Sequence, residues 1–168
     1  MEIPKEQDGA VDIFEYAQRG VEVPHAHSYH VRIDGEKFEI STPRPTGEFL
    51  LGKVGKRPCA FELIEEFMHC ENDVVEPKEE VDLRKKGLKG FITAHKEIVE
   101  ISIDGPAYRI ERGNRTVAEI LGKVGKTPEG YVLLEEKDGP PMPLPPDKPV
   151  KIRGCEVFFT QVQSGASS

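Results

Sequence analysis

From Tyr29 the chain alternates apolar and polar positions, with Tyr29, Val31 and Ile33 in one set and His30 and Arg32 in the other. Successive side chains of a strand point to opposite faces, so this alternation predicts a half-buried strand. Asp34-Gly35 follows, a pair that tolerates the positive φ angles of a tight hairpin, and Phe38 and Ile40 alternate in the returning strand. The period then changes. Leu50, Leu51 and Val54 fall on one helical face behind Thr46, a candidate N-cap, while Gly55 suits a left-handed helix end and Pro58 prevents resumption. Phe61-Glu62-Leu63-Ile64 predicts a third strand, Val81-Asp82-Leu83 a short fourth and Phe91-Ile92-Thr93 a last one.

The same succession returns seventy positions later. Val99, Ile101 and Ile103 lead to Asp104-Gly105, then to Tyr108 and Ile110. Thr116, with Glu119 completing a capping box, precedes Ile120, Leu121 and Val124, and Gly125 and Pro128 close the helix. Tyr131-Val132-Leu133-Leu134, Val150-Lys151-Ile152 and Phe158-Phe159-Thr160 supply the remaining strands. Leu51-Gly52-Lys53-Val54-Gly55-Lys56 recurs unchanged at 121–126, and fifteen of thirty-six columns agree between 31–66 and 101–136. One fold unit is written twice. Gly52 and Gly122 lie inside the helices, where glycine costs about 1 kcal/mol relative to alanine, which implies a close approach of backbone to sheet.

First and last strands of each copy are both buried only if they lie side by side beneath the helix. That arrangement is the β-grasp, an α+β fold with one helix across a mixed sheet. The expected organisation is two tandem β-grasp domains, at 29–95 and 99–162, with a short linker from His95 to Ile98 and a tail at 163–168. Residues 1–28 have no counterpart in the repeat. Val11 to Arg19 has the makings of a helical turn or two, capped by Asp12 and flanked by Gly20 and Pro24, but is too short to be stable alone. The segment is expected to be an acidic, mostly flexible extension.

The net charge of −7 is unevenly spread, with six acids against two bases in residues 1–28. There is no basic face, which argues against a nucleic-acid partner. No apolar run reaches eighteen residues, so no membrane span is expected, and the acidic N-terminus does not read as a signal peptide. Cys59, Cys70 and Cys155 show no CxxC spacing and read as reduced thiols, which places the protein in the cytoplasm.

Catalytic chemistry finds little support. Gly125-Lys126-Thr127 lacks the upstream glycine of a phosphate loop, because Ile120 stands there. His25, His27 and His30 have no acidic or cysteine ligands at useful spacing, so no metal is expected, nor any cofactor. Glu65-Glu66 and Glu135-Glu136 trail a strand and read as solvated turn charges. No nucleophile–histidine–acid set appears, so the chain is not expected to be an enzyme. Adjacent apolar pairs offer a better lead. In Leu63-Ile64, Leu133-Leu134 and Phe158-Phe159 one member must point away from the helix. Leu134, Phe159, Leu133 and Phe158 are therefore candidates for a partner-binding surface, unless the two domains bury these faces against each other.

The ordered set of strand, Asp-Gly, strand, Thr-capped helix ending in Val124-Gly125-Lys126, Pro128, Tyr131-Val132-Leu133-Leu134-Glu135 and a closing Val157-Phe158-Phe159-Thr160 resembles the multiubiquitin family. These are tandem ubiquitin-like proteins of bacterial ubiquitin-like conjugation operons, linked to antiphage defence. The resemblance covers about 29–162 and implies a protein modifier without an active site of its own. It further implies an adenylating activating enzyme, a thioester-bearing conjugating enzyme, a deubiquitinase-like peptidase and target proteins joined through a glycine carboxylate. The tail carries no Gly-Gly. Gly165 is the one candidate for processing and conjugation, and cleavage after it removes Ala166, Ser167 and Ser168. Glycine suits that place because it lacks a Cβ and fits a narrow channel. The alternative is a non-conjugated tandem adaptor recognised through its surfaces.

Overall fold

The computed structural model describes residues 7–163. The chain divides between His95 and Lys96 into two compact units.

The first unit begins with β1 (Gln7–Asp12) and α1 (Ile13–Arg19), followed by β2 (Ala26–Ile33) and β3 (Glu36–Ile40). The β2–β3 turn forms as the sequence predicts, with Asp34 at φ 53° and Gly35 at φ 81°. Next come α2 (Gly47–Lys53), β4 (Phe61–Phe67), β5 (Asp73–Val75) and β6 (Leu88–His95). Thr46 caps α2 by accepting from the Phe49 amide at 3.2 Å, and Gly55 takes the left-handed conformation just beyond it. The sheet runs β3-β2-β6-β4-β5, with β1 also on β2. β6 lies parallel to β2, Ile33 facing Phe91, and antiparallel to β4. Leu50 and Leu51 of α2 are buried in one core with Tyr29, Val31, Ile33, Leu63 and Phe91. β2 and β6, the first and last strands of the repeated unit, thus meet in the middle of a mixed sheet crossed by one helix, which fits a ubiquitin-like β-grasp.

The second unit contains β7 (Ile98–Ile103), β8 (Ala107–Glu111), β9 (Gly113–Arg115), α3 (Val117–Gly122), β10 (Tyr131–Glu136), β11 (Met142–Pro143), β12 (Val150–Ile152) and β13 (Val157–Val162). Its main sheet runs β8-β7-β13-β10-β11, the order of the first unit, with β13 parallel to β7. Ile120 and Leu121 of α3 share a core with Ile101, Ile103, Leu133 and Phe158. Thr116 caps α3 through the Glu119 amide at 3.0 Å.

Several expectations are corrected. Residues 7–28 are part of the first unit rather than a mostly flexible extension. β1 pairs parallel with β2, and Val11, Ile13, Ala17 and Val23 are all at most 3% exposed. Asp12 caps α1 through the Phe14 amide as expected, and also stands 3.3 Å from Lys37. α1 is too short to persist in water alone, and tertiary burial supplies what propensity does not. Val81-Asp82-Leu83 is no strand of the sheet. The Val81 and Leu83 amides donate to the carbonyls of Pro45 and Pro43, and β5 takes the sheet edge instead. Likewise Val150–Ile152 pairs with β9 in a separate two-stranded ribbon, and β11 takes the edge. Gly52 and Gly122 do not approach the sheet, since a Cβ at either would meet nothing within 4 Å. Of the three cysteines, Cys70 is exposed and free, whereas Cys59 and Cys155 are not free thiols.

Candidate partner-binding face and C-terminal strand

Strand parity sorts the adjacent apolar pairs. Leu133 and Phe158 are fully buried in the second unit's core and offer no surface, which removes two of the four candidate residues. The reason is geometric. Both point toward α3, so Leu134 and Phe159, one residue on, point away. These two are directly opposite each other on β10 and β13, and both are half-buried. Pro143 of β11 lies opposite Leu134 on the other side, so an apolar row crosses three strands. The first unit has the same row. Ile64 of β4 faces Ile92 of β6 on one side and Val74 of β5, which is 46% exposed, on the other. Sequence inspection finds Ile64 from its apolar neighbour Leu63. It misses Val74, whose short strand has no periodic signal.

The opposite side of each unit's main sheet holds a carboxylate that the sequence reading leaves in solvent. Glu65 lies within β4, two residues from Leu63 and therefore on the same face, and is only 2% exposed. Burial raises its carboxyl above the ordinary glutamate range. The Lys85 ammonium 3.2 Å away opposes that rise incompletely, and Asp73 and Glu79 add to it. Glu135, its counterpart on β10, is half-buried and also raised by burial, with Lys137 opposing and Glu156 adding. The reading of Glu65 as a solvated turn charge is thereby corrected.

A polar constellation at the hairpin end recurs in both units. Asp34 Oδ1 accepts from the Thr93 amide at 2.8 Å, and Oδ2 accepts from the Thr93 hydroxyl at 2.6 Å and the Lys56 ammonium at 3.0 Å. In the second unit Asp104 accepts from Thr160 at the same two distances, with Lys126 at 3.6 Å. Each lysine also lies over an aromatic ring, Lys56 over Phe61 at 4.9 Å and Lys126 over Tyr131 at 4.8 Å. Burial alone pushes both carboxyls up, but the threonine and lysine donors outweigh it and hold Asp34 and Asp104 below the ordinary aspartate range. This cluster ties the first hairpin, the helix end and the last strand together. It is structural, and its signal was present in the sequence as an Asp, a Lys and a Thr common to both copies.

At the end of β13, the Gln163 amide donates to the Gly130 carbonyl at 3.0 Å and its side-chain Nε2 to the Pro128 carbonyl at 2.7 Å. Gly165, the expected attachment residue, lies outside the described residues. Among the described residues no group of histidine, cysteine and acidic side chains has the arrangement of a metal site, and no helix is long and apolar enough to cross a membrane.

Comparison with protein families gives one match: the family model described as Multiubiquitin covers residues 29–96. That match supports reading this stretch as a ubiquitin-like module, a class of domain that is generally not catalytic. Neither the curated proteins nor the solved structures give a match.

Proposed function

We propose that this chain is a ubiquitin-like protein modifier built of two β-grasp domains in tandem, acting in the cytoplasm in bacterial antiphage defence. It is processed after Gly165, adenylated there by an activating enzyme, carried as a thioester on a conjugating enzyme and joined to target amines. A deubiquitinase-like peptidase trims the precursor and reverses the linkage. The observation that carries this reading is the Multiubiquitin match over 29–96, joined to the second unit's repetition of the same strand order. The outer row through Leu134 and Phe159 is the face offered to the enzymes of the cascade.

The test is mass spectrometry of the full chain incubated with ATP, a target protein and the peptidase, activating enzyme and conjugating enzyme of such an operon. Loss of the mass of Ala166-Ser167-Ser168, followed by adducts on target lysines, is the expected result. Adducts formed equally by a Gly165→Glu variant overturn the assignment. A second reading, a tandem adaptor that is bound but never conjugated, is favoured by the presence of an apolar row in each unit. Under that reading the Leu134→Asp variant loses partners while the Gly165→Glu variant keeps them.

A further inference from the structure

Thr160 divides β13 into two parts that are held differently. Before it the strand is fixed on both sides: Val157 and Phe158 pair with β7 as well as with β10, and Thr160 itself is bound twice by Asp104. Beyond it, Gln161 and Val162 pair with β10 alone and are exposed, Val162 at 66%. A strand end held on one edge with its side chains in water is the kind of segment that opens locally at low cost. This one ends in a clamp instead. Gln163 is half-buried, and both its amide and its side chain donate to carbonyls of the loop between α3 and β10.

We propose that Gln163 is a latch that sets the point from which the chain leaves the second unit. Engaged, it fixes that point at Gln163. Released, the point retreats to Thr160, and Gln161, Val162 and Gln163 are added to the length available to a partner whose cleft takes an extended peptide. An extended residue spans about 3.3–3.6 Å, so release adds about 10 Å of reach. The use of that reach rests on the modifier reading, in which Gly165 must thread into another protein's active site. In the chain trimmed after Gly165, only Ser164 and Gly165 lie beyond the engaged latch. With it open, five residues do. Gln163 is a positioning residue and touches no reacting atom.

Amide hydrogen exchange by NMR on the full chain tests the latch without any partner. Gln163→Ala removes the side-chain bond and keeps the backbone one. The amide at 163 is expected to exchange about fivefold faster, corrected for its intrinsic rate, the effect of losing one ordinary hydrogen bond. The Thr160 amide is expected to keep its native rate. Gln161→Ala, which removes an exposed side chain from the same strand end, is the control and leaves both rates within about twofold. Gln163→Arg, long enough to donate to the Pro128 carbonyl, is expected to return the rate toward the native one. A Gln163→Ala rate within about twofold of native overturns the latch, and so does equal acceleration at Thr160, because the strand then frays as a whole. Processing is read separately, by mass. A chain whose exchange behaves as described but which is never trimmed after Gly165 keeps the latch and loses the modifier reading.

Discussion

Lys56 reaches 3.0 Å from Asp34 across twenty-two residues of sequence, and both are joined to Thr93 on the last strand. The hairpin turn that Asp34 opens, the helix end that Lys56 follows and the strand that carries Thr93 are thereby fixed to one another. The same closure is repeated by Asp104, Lys126 and Thr160, although the connections between the third and last strands differ in length. The two copies differ in their loops but share this side-chain contact, which joins the first hairpin to the last strand beside the backbone bonds from the Asp34 and Asp104 amides to the Phe91 and Phe158 carbonyls.

That closure predicts acid sensitivity with a definite sign. Asp34 and Asp104 have folded carboxyls below the ordinary range, so the unfolded chain binds protons more readily. Their contribution is fully present above the unfolded value of about 4 and is lost as pH falls through the lowered folded value. Urea unfolding followed between pH 5 and pH 2 is expected to show midpoints falling below about pH 4, with a shallower fall for the Asp34→Ala variant. At pH 7 the Asp34→Ala substitution, which leaves the Thr93 donors without their partner, is expected to cost the first unit about 1–2 kcal/mol, with the denaturant slope unchanged.

Glu65 predicts the opposite slope in a higher window. Its folded carboxyl is raised, so the native state holds the proton more tightly than the unfolded chain. Its effect on stability is neutral below both values and becomes a growing cost as pH rises from about 4.5 through the raised folded value. Glu65→Gln keeps the shape and removes the charge. Subtracting the variant's stability from that of the native chain, pH by pH, is expected to give a difference that falls as pH climbs toward 7. A difference that stays flat contradicts the raised carboxyl.

Two glycines near α2 are expected to respond in opposite directions. A Cβ on Gly47 would stand 2.5 Å from the Glu76 carbonyl oxygen and 3.0 Å from Val75 Cγ1, and the backbone contact has no cheap way to yield. The loop is held down there, because the Gly47 and Glu48 amides donate to the carbonyls of Glu79 and Pro77. Gly47→Ala is therefore expected to cost roughly 1–3 kcal/mol, although the matching position in the second unit is a buried Val117. At Gly52 the Cβ meets open space inside a helix, so Gly52→Ala is expected to stabilise by about 0.5–1 kcal/mol. Thermal midpoints of the two variants check both signs.

What was legible in the sequence was what is local. Asp-Gly turns, threonine and aspartate caps and left-handed glycines each need only a few neighbouring residues, and Asp34, Thr46, Asp12 and Gly55 all stand as read. The central pairing of first and last strands was also legible, because apolar Ile33 and Phe91 have nowhere else to be buried. The N-terminal segment was not. Ile13 is buried because β1 takes the N-terminal part of β2 while β6 meets only Ile33 at its end, and that vacancy is a property of the assembled sheet. Val81 and Leu83 alternate like a strand, but their amides are taken by proline carbonyls outside the sheet. Glu65 was readable in principle, since parity with Leu63 turns it inward, yet a glutamate at a strand end is usually solvated.

The two residues at each apolar pair give the sharpest separation of fold from recognition. Leu133 and Phe158 are fully buried, so truncating either to alanine is expected to cost about 2–5 kcal/mol through lost contacts and a cavity. Leu134 and Phe159 face outward as cross-strand partners, and their contribution to stability is limited to one pair interaction and partial burial. Leu134→Ala or Phe159→Ala is expected to cost about 1 kcal/mol or less. If the outer row is the face through which partners dock, the charged variant Leu134→Asp keeps its unfolding midpoint close to that of Leu134→Ala but abolishes transfer to the conjugating enzyme. If instead the charged variant is transferred at the native rate, recognition lies elsewhere on the chain. If it unfolds as readily as Leu133→Ala, the outward assignment of Leu134 fails, because only a residue inside the core carries so large a penalty.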